Sequence, residues 1–299
     1  MKKISVVILT FNEEQHIERC LNSLKEVVEQ VFIVDSFSTD KTVELAEALG
    51  AKVYQNKWVN YANQFEWGLD NCPIVTEWVM RMDDDEYLEP ELSNEINDSL
   101  NTLDDEITGI YLKRKVFCKG KWIKYGGFYP HILLRIWRNG IGRIEQRWMD
   151  ENIVLSKGQI VQFKNDLVDD NLNDITWWVN NHNAYETREM LDLMNIKYGL
   201  FESDDALLET NVPQAKKKRL LKGKVYSKIP TGLRAFLYFV YRYVFKLGFL
   251  DGSKVFVFHF MQSCWYRLLV DVKVDEFGLQ VKSKGIDKTL DMYHVLRTQ

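Results

Sequence analysis

Asp83-Asp84-Asp85-Glu86 sets four carboxylates on consecutive residues, directly after the apolar run Trp78-Val79-Met80-Arg81-Met82. Carboxylates this close repel one another. They are tolerated when water reaches them or when a hard cation sits between them. Mg2+ or Mn2+ takes one or two carboxylates plus phosphate oxygens, a ligand set that a nucleoside diphosphate would complete. The competing explanation is a solvated acidic turn opening a helix near Pro90, because acidic residues favour helix starts. Two more polar segments follow apolar runs earlier in the chain, Thr10-Phe11-Asn12-Glu13 and Asp35-Ser36-Phe37-Ser38-Thr39-Asp40. Asp35 has the chemistry to accept a hydrogen bond from a base N–H, beside Ser36. The backbone of residues 10–13 could flank the base, Asp83 and Asp84 lie where a ribose would bind, and Asp85 could hold the metal. A capping turn explains residues 35–40 equally well when they are taken alone.

The three segments do chemistry together only if the elements before them align. Residues 4–9 are short, apolar and β-branched, as a strand covered on both faces should be. Residues 13–24 have helical spacing, with Ile17, Leu21 and Leu24 on one stripe. Strands are predicted over 31–34, 51–54 and 78–82, and helices over 42–49, stopped by Gly50, and over 60–69. Repeated strand–helix units of this length predict an α/β fold, a mostly parallel sheet with flanking helices on both faces. Ligands of such sheets bind beyond the carboxyl ends of the strands, so the three polar segments should share one rim. After residue 106 the pattern changes. Further strands are expected over 110–118, 132–137 and 153–163, with turns at Gly126-Gly127 and Asn139-Gly140, and from Asp174 the chain reads as helical almost to its end.

The chain has 299 residues, enough for one large domain or two modest ones. Its 46% hydrophobic and 27% charged residues argue against disorder, collagen and coiled coil. With 39 Lys or Arg against 43 Asp or Glu, a net charge of −4 argues against a nucleic-acid-binding protein. Cys20, Cys72, Cys118 and Cys264 are too far apart for a zinc ribbon or a Cys-x-x-Cys pair and read as reduced thiols of a cytoplasmic protein. Met1-Lys2-Lys3 and the apolar run behind it superficially suggest a signal peptide. The run is short, contains Ser5 and Thr10, and has no small-residue cleavage site after it, so it reads as a buried strand.

In these segments the sequence resembles the inverting family 2 glycosyltransferases of GT-A fold. The family's opening strand followed by Asn-Glu matches residues 5–13, its Val-Asp-Ser-x-Ser-x-Asp matches residues 34–40, and its Asp-x-Asp matches Asp83 to Asp85. Within the family the chain is most similar to a branch resembling lipopolysaccharide-core β-glucosyltransferases. That branch carries Asp-x-Asp-Glu-Tyr-Leu (here 83–88), Gly-Gly-x-Tyr-Pro (126–130), a His-Asn-x-Tyr helix (182–185) and a late Gly-Phe-Leu-Asp-Gly (248–252). The resemblance covers nearly the whole chain. It implies transfer of a hexose, with inversion, from a nucleotide sugar such as UDP-glucose to a hydroxyl of a lipid-linked glycan, lipopolysaccharide core or another cell-envelope polysaccharide. It implies nucleotide contacts from Thr10, Asn12, Glu13, Asp35, Ser36, Asp83 and Asp84, and a Mg2+ or Mn2+ on Asp85.

An inverting displacement needs stabilisation of the leaving diphosphate and a general base opposite it. The resemblance places the base in Trp148-Met149-Asp150-Glu151, with Asp150 slightly preferred and Glu151 kept as the alternative. Arg135, Arg138 and Arg143 lie nearby. A guanidinium fork suits phosphate oxygens, although surface salt bridging is equally open to any one of them. His182 stands on an amphipathic helix with Trp177, Trp178, Tyr185 and Met190. The resemblance gives it a diphosphate or acceptor contact, against a purely structural role. Asp169-Asp170-Asn171 reads as the cap of that helix. Trp122, Tyr125, Phe128 and Tyr129 have the rings to stack on a sugar, or to fill a core.

Residues 211–250 hold ten Lys or Arg and no Asp or Glu, so the other 259 residues sum to −14. Aromatics interleave with these cations (Phe236, Tyr238, Phe239, Tyr241, Tyr243, Phe245), and Arg242 and Lys246 interrupt the apolar run, which argues against a spanning helix. The expectation is a catalytic domain over 1–205 and a helical, basic and aromatic region over 206–299. Residues 211–270 of that region would meet an anionic membrane surface, peripherally, on the inner face of a bacterial cytoplasmic membrane. An ordinary helical subdomain with a basic face is the alternative. A nucleotidyltransferase would carry a Gly-rich basic loop, and residues 10–15 contain neither Gly nor Lys. A membrane-surface scaffold with idle carboxylates is the non-enzymatic alternative.

Overall fold

The protein is described by a computed structural model covering residues 4–149, 151–200, 230 and 232–293. Asp150, the expected boundary at 205/206 and the basic run 211–229 lie outside the described residues.

The first half is built as its pattern predicts. Strands β1 (Ile4–Thr10), β2 (Gln30–Asp35), β3 (Lys52–Gln55) and β4 (Trp78–Asp83) alternate with helices α1 (Ile17–Leu24), α2 (Thr42–Ala48) and α3 (Tyr61–Asn71). The four strands lie in the order β3-β2-β1-β4, all parallel. Side chains alternate along β1, so Ile4, Val6 and Ile8 join one core and Val7 and Leu9 the other. The first core is covered by α1, α2 and α4 (Pro90–Ser99), the second by α3. Helix α3 comes close because residue 68 is Gly; a Cβ there would stand 2.9 Å from Val34 Cγ2.

The second half departs from the parallel expectation. Beyond β4 the order runs β8 (His131–Arg138), β6 (Ile107–Cys118), β11 (Gln159–Asp170) and β5 (Glu86–Leu88), with β7 (Lys121–Trp122) paired to β6. The β4/β8, β6/β8 and β5/β11 pairs are antiparallel, and only β6/β11 is parallel. The physical reason is the connection. The chain returns from β6 to the adjacent β8 directly, whereas a parallel neighbour needs a longer crossover, which β6 and β11 have through β7–β10. The expected strand over 153–163 is two strands. β10 (Ile153–Leu155) pairs with β9 (Gly142–Ile144), and the chain turns at Gly158, whose φ of +90° suits glycine, before β11 begins.

The C-terminal part is helical, as expected. It comprises α5 (Ile175–Tyr198), α6 (Leu233–Val240) continuing into a π turn (Tyr241–Phe245), α7 (Phe256–Phe260) with a second π turn (Met261–Trp265), α8 (Tyr266–Lys284) and α9 (Ile286–Met292). Met190, Leu191 and Met194 of α5 pack on Phe277 of α8 and Leu290 of α9. The late Gly-Phe-Leu-Asp-Gly segment docks these helices on the sheet domain. Buried Asp251 accepts from the backbone N–H groups of Lys124 and Tyr125, each at 3.1 Å, and pairs with His259 Nε2 at 2.9 Å. Gly126 donates its N–H to the Lys246 carbonyl at 2.9 Å, and a Cβ on Gly126 would meet the His259 ring at 2.7 Å.

Candidate active site

The rim at the carboxyl ends of β1, β2 and β4 opens into a cleft of about 1770 Å3. Its far walls come from α5 and from α7 with its π turn, so the helical part closes the site.

The first two loops are locked together. Asp35 is fully buried, and its carboxylate accepts from Thr10 Oγ1 (3.2 Å), the Ser38 N–H (2.9 Å), Ser38 Oγ (2.5 Å) and Gln55 Nε2 (3.2 Å). Asn12 takes a left-handed turn (φ +57°). Its N–H donates to Ser38 Oγ at 2.8 Å and its Oδ1 accepts from the Thr39 N–H at 2.8 Å. This clasp presents Phe11 and Phe37 to the cleft, 56% and 52% exposed, with Ser36 beside them. Glu13 is buried against His16 Nδ1 at 2.6 Å, and His16 Nε2 accepts the Leu172 N–H at 2.8 Å. That bond leaves the proton on Nδ1, which donates to Glu13. Burial nevertheless pushes the Glu13 carboxyl up.

The acidic turn is four carboxylates in four settings. Burial raises Asp83, but Arg135 at 3.0 Å, Arg81, the Tyr61 hydroxyl at 2.6 Å and Arg114 outweigh it and hold the carboxyl well below the usual range. Glu86 is fully buried, accepts from Arg135 and from the Asp83 N–H (3.0 Å), and burial pushes it up despite both arginines. Asp84 has no such cation. Burial first, then the charges of Glu13, Asp85 and Asp83, push it well above the carboxylate range. Asp85 accepts from Asn171 Nδ2 at 3.0 Å, and its carbonyl accepts from Arg19 Nη2 at 3.1 Å. Asp83, Asp84 and Asp85 all line the cleft.

This donor set fits a hard divalent cation. Asp84 and Asp85 offer carboxylate oxygens at the cleft, and the charge crowded around Asp84 is what a cation would relieve. Among the described residues no three His, Cys, Asp or Glu converge as a closed cage. Mg2+ and Mn2+ do not need one when phosphate oxygens supply the remainder.

His182 lines the opposite wall, stacked on Trp178 with ring centroids 3.5 Å apart. Burial pulls its pKa down to about 4. The neutral ring donates Nδ1–H to the Trp178 carbonyl at 2.9 Å and accepts from Gln262 Nε2 at 2.8 Å.

Other expected residues lie elsewhere. Arg135 is 2% exposed and serves Asp83 and Glu86 without lining the cleft. Arg138 sits at the far end of the sheet, opposite Trp78 and paired with Glu77, roughly 17 Å from Asp83 at about 3.3 Å per strand residue. The structure does not bring it to the site. Glu151 is half-buried and does not line the cleft; its carbonyl accepts from Arg81 Nη1 at 3.3 Å, two residues before Asp83. The expected cap of α5 is also corrected. Asp174 caps it, accepting the Trp177 N–H at 2.8 Å. Asp169 instead pairs with Arg114 at 3.2 Å, Asp170 with Arg19 at 3.0 Å, and Asn171 with Asp85. Arg114, Tyr61, Arg188 and Arg242 are cleft residues that sequence reasoning passed over. The one signal for Arg114 was a charged triplet, Lys113-Arg114-Lys115, inside an otherwise apolar strand.

The family model for glycosyl transferase family 2 matches residues 5–172, which takes in strands β1 to β11, short of Ile4, and the acidic turn. The chain belongs to this family. Its mixed α/β sheet is correspondingly GT-A-like. An uncharacterised glycosyltransferase of Rickettsia typhi is 46% identical over 96 residues, 32% of this chain and 32% of its own. The lipopolysaccharide core biosynthesis glycosyltransferase LpsC of Rhizobium meliloti is 30% identical over 147 residues, 48% of this chain and 53% of its own. The chain thus spans between a third and about half the length of these relatives. Among solved structures, the glucosyl-3-phosphoglycerate synthase of Mycobacterium tuberculosis with Mn2+, UDP and glucosyl-3-phosphoglycerate overlaps 39% of this chain and 44% of its own. It is 24% identical, with a TM-score of 0.32.

Proposed function

We propose that the protein is a metal-dependent inverting hexosyltransferase that moves a sugar from a UDP-sugar, UDP-glucose first, to a hydroxyl of a lipid-linked cell-envelope glycan such as lipopolysaccharide core. The observation that carries this reading is the acidic turn, set at the carboxyl rim of a parallel sheet and open to a large cleft. The nucleoside rests between the Phe11 and Phe37 loops, with Asp83 held ionised toward the ribose. Asp85, with Asp84, would hold Mg2+ or Mn2+, which when bound offsets the charge growing on the leaving diphosphate. A carboxylate of the 148–151 segment, Asp150 ahead of Glu151, would accept the proton of the incoming hydroxyl. Incubation of the protein with Mn2+, acceptor extract and a panel of nucleotide sugars should release nucleoside diphosphate, fastest from UDP-glucose. No release from any donor defeats the reading.

The acceptor's lipid implies a membrane surface. Phe236, Tyr241, Phe245, Phe249, Phe256 and Phe260 are large exposed apolar side chains within residues 230–270, Phe245 being 73% exposed. No described helix is long and apolar enough to cross a membrane. Exposed aromatics that follow a basic stretch in the sequence suit peripheral attachment to an anionic leaflet at the inner face of the cytoplasmic membrane. Phosphatidylglycerol vesicles should sediment the protein at low salt and less so at 0.5 M salt, whereas phosphatidylcholine vesicles should leave it in solution. Failure to sediment with phosphatidylglycerol at low salt rules this attachment out.

A further inference from the structure

The cleft does not end at the acidic turn. Its lining extends to Arg242, Lys254, Val257, Phe258 and Met261 of the C-terminal helices, and Val257 is 54% exposed. Arg242 differs from most arginines here, as does Arg188, a cleft residue that stands over the Trp58 and Tyr185 rings. Arg19, Arg114, Arg135, Arg147, Arg234 and Arg267 each pair with a carboxylate. Arg242 is half-buried and pairs with no carboxylate among the described residues. It is nevertheless held in place. Its Nε donates to the Gly126 carbonyl at 2.6 Å, and its guanidinium carbon lies 3.5 Å from the Phe128 ring centroid. One edge of the fork is thereby fixed, while Nη1 has only a 3.5 Å contact to the Tyr238 hydroxyl. A half-buried cation without a counter-charge is unfavourable unless an anion completes it, and a fixed guanidinium matches phosphate oxygens. Lys254, exposed and lining the same cleft, adds a second positive charge.

We propose that Arg242 and Lys254 form an anion subsite at the acceptor end of the cleft, and that it takes a phosphate group on the acceptor. The assignment of that phosphate to the acceptor rests on the transferase reading above; the subsite itself rests on the geometry of Arg242. An acceptor held there meets the donor inside the same cleft, while its alkyl part leaves past exposed Val257.

The probes are octyl phosphate and octanol, both below aggregation, titrated calorimetrically into the full-length protein without donor. Octyl phosphate should bind saturably and octanol at least tenfold more weakly. Arg242→Gln should weaken octyl phosphate about tenfold or more, as expected for loss of a charge-assisted pair, and Arg242→Lys by less. Because Arg242 also anchors Gly126, a thermal melt accompanies each variant. Lys254→Gln, on an exposed side chain, supplies a variant whose fold is safe and should weaken binding two- to threefold. Equal binding of octanol and octyl phosphate overturns the subsite, as does wild-type affinity in the Arg242→Gln/Lys254→Gln double variant. Displacement by an equal concentration of inorganic phosphate upholds the subsite but assigns it to a free phosphate; resistance to displacement assigns it to a lipid-linked one. UDP binding with Mn2+ is measured separately on the wild type, so its absence would fail the transferase reading while leaving the phosphate result intact.

Discussion

Asp85→Ala should lower donor turnover about a thousandfold while the protein stays folded. The first half of this expectation follows from charge. A metal-held diphosphate leaving group gains several kcal/mol of transition-state stabilisation, and each 1.36 kcal/mol is tenfold in rate. The second half follows from what the Asp85 side chain supports, a 3.0 Å hydrogen bond from Asn171 at the cleft edge. The structural contacts of this residue are made by its backbone: the carbonyl takes Arg19 Nη2 at 3.1 Å and the Asp170 N–H at 3.3 Å, and both survive the substitution. Removing one carboxylate also relieves its neighbours, because Asp85 is one of the charges that raise Asp84 after burial itself. The melting temperature should therefore hold or rise slightly as kcat collapses. Asp85→Asn keeps an acceptor for Asn171 and should lose nearly as much activity. Wild-type turnover in Asp85→Ala, measured as diphosphate release under saturating Mn2+, would remove Asp85 from the metal site.

The acidic turn could be found in the sequence because everything that defines it is local. Residues 78–88 contain β4, the turn and β5, and the β1 and β2 loops each follow their own apolar run without a gap. The partners of the turn could not be found that way. Asp169 and Asn171 stand just before a helix and so imitate a cap, while their actual partners, Arg114 and Asp85, are 55 and 86 residues away. Arg135 and Arg138 looked interchangeable. Arg135 is the extra residue of a bulge between Leu134 and Ile136, and three residues of rise move Arg138 about 10 Å further from the rim. Strand direction in the second half depends on where the chain returns, which the apolar content of residues 107–170 does not encode. The single Gly158 that divides one expected strand into two is visible only once Thr108 is seen to leave no room for a Cβ, 2.2 Å away. The charge total hid the basic segment for a related reason: an average over 299 residues carries no position.

Arg135→Met should be the most destabilising single change near the site. Arg135 is 2% exposed and bonds Asp83 and fully buried Glu86 at once. Removing one partner of a buried pair leaves an uncompensated charge and typically destabilises by about 3–5 kcal/mol. Arg114 remains 3.5 Å from Glu86 and 4.0 Å from Asp83, so the loss belongs at the lower end of that range. It should appear as a fall in melting temperature of roughly 6–12 °C, at about 2–4 °C per kcal/mol for a chain of this class. The pH dependence gives the mechanism. Burial already sets the Glu86 carboxyl above its unfolded value of 4.5, and taking away Arg135 raises it further. An acid whose folded pKa lies above its unfolded one imposes no penalty while both states are protonated, below about pH 4.5. The penalty then grows as pH climbs toward the folded value. The wild-type Glu86 carboxyl sits at about 8, so the gap in unfolding free energy between wild type and Arg135→Met should be flat between about pH 5 and 7 and widen as pH rises through about 8. Adding Glu86→Gln, which deletes the charge that Arg135 offsets, should remove that widening. A gap independent of pH, or undiminished in the double variant, would mean that Arg135 stabilises by packing alone and that the ionic frame of the turn is carried by Arg114.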